Sequence, residues 1–429
     1  MAINLSTSGM TRDSLIPPSS LTLQFQKIRN LLAGQATGMN LDQTLAIQLI
    51  DLLICKMYDE KKTTSNEMVV FQILPNESAI QLKERVDALF KEVTSLPPIN
   101  SLYSGTENIT LDPELLYQII MILQPYELTL AKRDAIGEAF EAFIGPSLRG
   151  EEGQFFTPRN VVELACSILD PKEGEIVLDP ACGTGGFLTE ALKHKKSVKV
   201  LGIDKDNFLA RVAAIQISLL CDNDSSWAFN ANSLNPVSWP AILSNNIQPE
   251  SIDVIMTNPP FGSKISVGSE IVSQYELGAI WKDEKKKGTW KKTDKRVEDR
   301  PPQILFIEQC LRLLKPGGRM GIVLPDGILG NQREGYVRHF VSQIADLVAI
   351  VDLPLETFLP STSTKTSMLF LRKKHDDFDQ KRIFMAIAER CGHDRRGKAI
   401  FKDDGSEDDD FPKIAYEFKK WSVDNASDF

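Results

Sequence analysis

Three short apolar runs in the middle of this chain each stop on a polar residue, and that pattern restricts the fold more than any other feature. Glu175 to Leu178 ends at Asp179, Val198 to Ile203 ends at Asp204, and Ile252 to Met256 leads to Asn258. Helical spacing fills the gaps, over Gly186 to His194 and Phe208 to Cys221, with Val161 to Leu169 ahead of them. A further helix, Ile304 to Leu314, stops at Lys315-Pro316-Gly317-Gly318, and strands follow at Met320 to Leu324, Leu347 to Leu353 and Ser367 to Arg372. Strand–helix alternation of this kind predicts an α/β domain with a doubly wound, mostly parallel sheet and helices on both faces. Ligands of such sheets sit at the carboxyl ends of the strands. Asp179, Asp204 and Asn258 would all stand on that edge.

The first third of the chain reads differently. Leu41 to Lys61 and Ile80 to Leu96 carry apolar residues at helical spacing, Asp112-Pro113 marks a helix start over Glu114 to Leu123, and Asp134 to Ile144 is a further candidate. The division expected is a helical N-terminal interaction domain over 1–146, a catalytic domain over 147–392, and a charged tail over 393–429. No apolar run approaches the ~18 residues needed to span a bilayer. Met1 to Ser20 lacks the basic start and apolar core of a secretory signal. Six cysteines are scattered without zinc-ligand spacing and the four histidines do not join them. A cytoplasmic protein without a bound metal is expected. The net charge of −9 argues against strong nucleic-acid binding by the surface as a whole, so any such contact needs a local basic patch or a partner. One patch qualifies: residues 282–300 hold nine Lys/Arg against five Asp/Glu, flanked or joined by Trp281 and Trp290. It reads as a solvated loop or as a contact for a nucleic-acid backbone.

Asn258-Pro259-Pro260-Phe261 is a poor core element and a good pocket wall. Two prolines fix the backbone and remove two N–H donors. The Asn258 oxygen and main-chain carbonyls remain as acceptors beside the Phe261 ring. That set suits a flat ring bearing an exocyclic amine, and it also describes a plain strand-ending turn.

The Gly-rich turn Asp179-Pro180-Ala181-Cys182-Gly183-Thr184-Gly185-Gly186-Phe187 separates a strand from a helix. Glycines permit close approach of a ligand, and the helix start offers N–H groups. Asp204, at the next strand end, can accept both hydroxyls of a ribose. The spacing does not fit G-x-G-x-x-G, and the P-loop lysine is missing. An acid directly before the glycines suits a ligand with a charged amine better than a pyrophosphate. S-adenosyl-L-methionine has that amine and a ribose, and fits better than a dinucleotide.

Four motifs, in order, give a family resemblance: Gln154-Phe155-Phe156-Thr157-Pro158-Arg159, Asp179 to Phe187, Asn258 to Phe261, and Leu353 to Phe370. Over about residues 25–400 the chain resembles the modification (M) subunit of type I restriction-modification systems, among the amino-group DNA methyltransferases. The resemblance implies a site-specific N6-adenine DNA methyltransferase. It implies that Gln154 to Arg159 cover the methionine end of the cofactor, that Asp179 and Gly183, Thr184, Gly185 and Gly186 line it, and that Asp204 holds the ribose. Asn232 would lie near the cofactor adenine, where many relatives have aspartate. Asn258 and the Pro259 carbonyl would accept the amine hydrogens of a base flipped from the duplex, with Pro260 shaping the turn and Phe261 stacking on the base, a contact worth roughly 1–3 kcal/mol. Implied partners are double-stranded DNA, a specificity subunit, a second M subunit and a restriction subunit, with no membrane. With 153–392 used by the catalytic sheet and its loops, sequence reading is expected from another chain. Cytosine-N4 methylation, glutamine methylation of a protein, and a catalytically idle scaffold in a DNA-defence complex remain as alternatives.

Overall fold

A computed structural model describes residues 9–18, 21–33, 41–130, 157–221, 225–261, 266–284, 288–375 and 382–425. The chain divides into two compact units, one of residues 1–150 with 214–224, the other of 151–213 with 225–429.

The first unit is helical, with helices Thr22–Ala33, Leu41–Lys62, Ala79–Ser95 and Pro113–Leu123. Ser78 opens the third with a reciprocal capping box to Gln81, and Asp112 Oδ1 accepts the Glu114 N–H ahead of Pro113 in the fourth. Phe25, Leu49, Leu52, Phe71, Val86, Phe90 and Ile119 form its core. The Leu41–Lys62 helix buries more than its apolar stripe. Lys56 and Glu60 pair at 2.9 Å inside the unit, and Glu60 also accepts the Leu128 and Thr129 N–H groups. Asp59 accepts the Phe71 N–H. Buried charge of this kind is tolerated because each group is paired and hydrogen-bonded. The expected helix at Asp134 to Ile144 lies outside the described residues.

The second unit is built on an eight-stranded sheet. Its strands are β1 (Ile176–Asp179), β2 (Lys199–Asp204), β3 (Trp227–Asn230), β4 (Ile252–Thr257), β9 (Leu314–Pro325), β10 (Ala345–Asp352), β11 (Thr366–Lys373) and β12 (Phe384–Ile387). Two small ribbons interrupt the sequence between β4 and β9: β5 (Val267–Gly268) with β8 (Asp299–Arg300), and β6 (Ala279–Asp283) with β7 (Trp290–Arg296). The sheet order is β12-β10-β11-β9-β4-β1-β2-β3. Only β11 runs against its neighbours, pairing antiparallel with both β9 and β10. The chain steps outward from β1 through β2 to β3, then returns to the other side of β1 with β4. The strand order therefore reverses between β1 and β4, and a crevice opens there at the carboxyl ends. Val177, Leu178, Val200, Leu201, Val254 and Ile255 are buried, as strands covered on both faces require.

Three elements differ from expectation. β3 rests on only three apolar residues, Trp227 to Phe229, and β12 lies in the apolar run Ile383 to Ala388, which the strand expectations above do not include. The residues after His393 form no separate tail. Helix Phe411–Asp424 buries Phe411, Ile414 and Phe418, and its Phe418 and Trp421 rings pack on Phe384 of β12. The acidic residues just before it are satisfied locally: Asp410 accepts the Glu389 and Arg390 N–H groups. High charge density masked an amphipathic helix with three aromatic anchors.

Candidate active site at the carboxyl edge of the sheet

β1 ends at Asp179, β2 at Asp204, and Asn258 follows β4, so the three residues stand at adjoining strand ends on one edge of the sheet. The Gly-rich turn bridges the first two. Gly185 takes φ +91° and caps helix Gly186–His194; a Cβ there would sit 3.2 Å from that of Ala213. Gly202 of β2 is required for a different reason. A Cβ at that point would come within 2.9 Å of the Cys182 sulfur and 2.8 Å of Leu188, so only glycine lets the turn and its helix lie on the sheet. Gly183 takes φ +52°, and a Cβ built on it meets nothing within 4 Å. The turn is thus tight beneath and open above.

Asp204 ties the turn down. Its Oδ2 accepts the Gly183 N–H at 2.8 Å and its Oδ1 accepts the Asp206 N–H at 2.8 Å. Each oxygen keeps a lone pair, and the residue is only partly covered. Its carboxyl is nevertheless pushed up to about 6, mainly by loss of water around it. Asp179 is buried; its Oδ1 accepts the Ala181 N–H at 3.0 Å and so shapes the start of the turn. Burial, and then the nearby charge of Asp204, pushes it up to about 7. Two carboxylates at one strand edge thus hold protons more tightly than exposed acids do.

Asn232 lies in the loop after β3. Its Oδ1 accepts the Leu234 N–H at 3.0 Å, and its carbonyl accepts from the Trp239 indole at 2.9 Å. The neighbouring Ser233 hydroxyl donates to the Pro180 carbonyl, which ties this loop to the Gly-rich turn. With one lone pair of Oδ1 engaged, Asn232 can offer a ligand its Nδ2 donor and the remaining lone pair of Oδ1.

Asn258 shows the most telling geometry. Its Nδ2 donates to Thr157 Oγ1 at 3.1 Å, while its Oδ1 is shielded from water and accepts no hydrogen bond among the described residues. A buried carbonyl oxygen without a partner costs about 1–3 kcal/mol, and such groups are rare in folded proteins. Thr157 holds the amide so that this acceptor is kept free. The role of Thr157 as an orienting partner is not visible from spacing, because 101 residues separate the two. Phe261 is buried, and its ring meets Phe358 edge-on at 6.5 Å. Phe358 lies within the Leu353 to Phe370 motif, but nothing in the sequence alone assigns it a place beside Phe261.

The other expected site residues divide clearly. Pro259 is buried and Pro260 partly so, continuing the wall from Asn258. Thr157 and Pro158 precede the helix Arg159–Leu169, with Thr157 reaching Asn258. Arg159 is exposed and its side chain pairs with Glu163 one turn on, at 2.8 Å. Gln154, Phe155 and Phe156 lie outside the described residues. Among the described residues, no group of His, Cys, Asp and Glu is arranged to hold a metal ion.

Together the sheet order and the three strand-end residues define a class I methyltransferase-like fold with a polar site at its switch point. A solved class I S-adenosylmethionine-dependent methyltransferase from Listeria monocytogenes has this fold, with a TM-score of 0.51, 19% identity and coverage of 80% of this chain and 92% of that one. The type I restriction-modification methyltransferase subunit of Streptococcus thermophilus superposes with a TM-score of 0.64 at 19% identity, covering 98% of each chain. The family model described as N-6 DNA Methylase matches residues 131–427, and the chain belongs to that family. Among curated relatives, the type I restriction enzyme EcoEI methylase subunit of Escherichia coli is 29% identical over 300 residues, 64% of this chain and 54% of the relative. The EcoKI methylase subunit of Escherichia coli strain K12 is 27% identical over 260 residues, 56% of this chain and 45% of the relative. The chain thus spans about half the length of the curated relatives it matches.

Proposed function

We propose that this chain is an N6-adenine DNA methyltransferase, the modification subunit of a type I restriction-modification complex. The observation that carries the reading is the buried Oδ1 of Asn258, which has no partner among the described residues and is held by Thr157 beside the Gly-rich turn. An acceptor kept dry and free at the strand edge suits a ligand with an N–H to donate. The exocyclic amine of adenine is such a ligand. Family membership and the type I methylase relatives point the same way.

The turn fits S-adenosyl-L-methionine. The space above Gly183 is open, Thr184 and Gly186 are accessible at the start of a helix, and Asp204 keeps lone pairs for ribose hydroxyls. Asp179 would act from beneath, through the shape of the turn and its negative charge, since it is buried. Asn232 would offer its Nδ2 to a ring nitrogen of the cofactor adenine. Thr157 and Pro158, with Gln154 to Phe156 before them, would close over the methionine end. Arg159, turned to Glu163, would have to leave that pair to join them. When bound, the cofactor supplies a methyl group on a good leaving group, so positioning carries much of the catalysis.

The chain's own residues position the amine. An adenine amine has its lone pair spread into the ring and is a weak nucleophile. Accepting its two hydrogens at Asn258 Oδ1 and at the Pro259 carbonyl favours a pyramidal nitrogen with the lone pair freed. The base must leave the duplex to reach this edge, at a cost of a few kcal/mol. Phe261 and Phe358 would form the apolar wall that receives it. No side chain is needed as a strong base before transfer.

The helical first unit would serve assembly, and the catalytic part from 147 onward would include the helix Phe411–Asp424 rather than leave 393–429 as a tail of its own. The partners would be a specificity subunit, a second M subunit, a restriction subunit and double-stranded DNA. A cytoplasmic location accords with six unpaired cysteines, all buried, and with a DNA substrate. No helix among the described residues is long and apolar enough to cross a membrane. The test is methyl transfer to duplex DNA by the assembled complex. Asn258→Ala should abolish it while the cofactor still binds. Equal loss of both would remove Asn258 from the transfer step.

A further inference from the structure

The β6–β7 ribbon leaves the second unit in the segment after β4, whose carboxyl end carries Asn258. Its two faces are chemically opposite. Residues paired across an antiparallel ribbon share a face, and the pairs here are Trp281 with Lys292, Lys282 with Lys291, and Asp283 with Trp290. Alternation then puts Trp281, Asp283, Trp290 and Lys292 on one face and Lys282 and Lys291 on the other.

The first face is fastened. Trp281 stacks on Tyr336 at 6.4 Å and Trp290 meets the same ring at 6.0 Å. The Arg300 guanidinium lies 4.9 Å from that ring centroid. Lys292 pairs with Glu276. The indole of Trp290 lies so close to Gly335 that a Cβ there would sit 2.8 Å from Nε1. The ribbon is therefore held in place on the helix Gly335–Ile344 by aromatic packing.

The second face is unsatisfied. Lys282 and Lys291 are exposed, directly opposite each other, and neither meets a carboxylate among the described residues. Like charges in that position repel, and nothing in the fold requires lysine at either. Lys295 on the same ribbon is also exposed. This patch belongs to a segment of net charge +4 (nine basic minus five acidic residues over 282–300) in a chain of net charge −9. A repelling pair on a rigid, well-anchored ribbon is what a polyanion would relieve.

We propose that the outer face of the β6–β7 ribbon binds the phosphate backbone of duplex DNA through Lys282 and Lys291. This rests on the methyltransferase reading above and gives it a docking surface: the ribbon would hold the duplex while Asn258 receives a flipped base. Backbone contacts fix position and orientation and carry no sequence information.

The test is a Lys282→Ala, Lys291→Ala double variant of the full chain, assembled with its DNA-reading partner. Binding of a fluorescent duplex containing the target site is followed by anisotropy across a salt series, and methyl transfer is followed in parallel. Loss of two phosphate contacts should reduce the log–log salt slope by about 1.8. KM for DNA should rise while kcat and cofactor affinity hold. An unchanged slope and KM would overturn the proposal. So would failure of the variant to assemble, with normal duplex binding by whatever complex forms, since the ribbon would then be a protein contact. Binding needs no turnover, so a wild-type complex that binds the duplex and transfers nothing would sink the methyltransferase reading and still test the ribbon.

Discussion

Replacing Thr157 by valine should leave the chain folded and the cofactor bound but slow methyl transfer. Thr157 Oγ1 is the acceptor for Asn258 Nδ2 at 3.1 Å, and Asn258 Oδ1 has no partner among the described residues. Valine keeps the shape and removes the acceptor. The buried Nδ2 then loses its hydrogen bond, at a cost of about 1–3 kcal/mol. Turning the amide over would relieve part of that cost by exchanging the two ends, and would present a donor where the amine needs an acceptor. Losing this amount of transition-state stabilisation slows transfer by roughly 5- to 150-fold, since each 1.36 kcal/mol is tenfold in rate. The assay is single-turnover transfer of labelled methyl to target duplex by the assembled complex, with cofactor affinity measured separately by calorimetry. Thr157→Ser retains the hydroxyl and should recover most of the rate. Unchanged single-turnover transfer in the valine variant would refute the orienting role. Failure of serine to rescue would point to packing instead.

Other outcomes follow from the same edge of the sheet. Asp204→Ala should weaken cofactor binding at least tenfold, by removing both the Gly183 anchor and the ribose acceptor; calorimetry showing unchanged affinity would take Asp204 out of the cofactor site. Asp179 should make the unliganded protein less stable as pH rises. Its carboxyl is lifted from 3.8 to about 7, chiefly by burial, so the folded chain holds a proton that the unfolded chain releases. Stability from this group is therefore full below about pH 4 and declines as pH rises to 7, by at most about 4 kcal/mol. Asp179→Asn should flatten that decline in chemical unfolding between pH 5 and 8, and a parallel pair of curves would contradict it. Gly202→Val should destabilise the second unit by more than about 2 kcal/mol, since the new side chain meets Cys182 and Leu188; a Tm within a degree of wild type would show that the turn can yield.

The sheet was legible because its central strands are covered on both faces. β1, β2 and β4 must be apolar runs, and each leads into a polar residue at the carboxyl edge, Asp179, Asp204 or Asn258. The Gly-rich turn was legible because Gly185 needs a positive φ, whereas the need for a missing side chain at Gly202 shows only when β2 lies against Cys182 and Leu188. What spacing could not show was which residues meet across the edge. The Thr157–Asn258 bond and the Phe261–Phe358 contact join segments far apart in the chain. Burial of Asp179 was also hidden, because an acid at a strand end reads as accessible. Helix Phe411–Asp424 was hidden because its aromatic anchors are set among charges, whereas β12 lies in a plain apolar run, Ile383 to Ala388. In residues 282–300 the count of lysines was plain, but the pairing that separates Lys292 from Lys282 and Lys291 exists only once the ribbon folds.

The most direct test of the account is mass spectrometry of nucleosides from target duplex incubated with S-adenosylmethionine, this chain and its specificity partner, run beside Asn258→Ala. N6-methyladenine made by the wild-type complex and absent from the variant is the predicted result. N4-methylcytosine would keep the acceptor mechanism and contradict the target base. No methylated base from a complex shown to bind both cofactor and duplex would contradict the central claim.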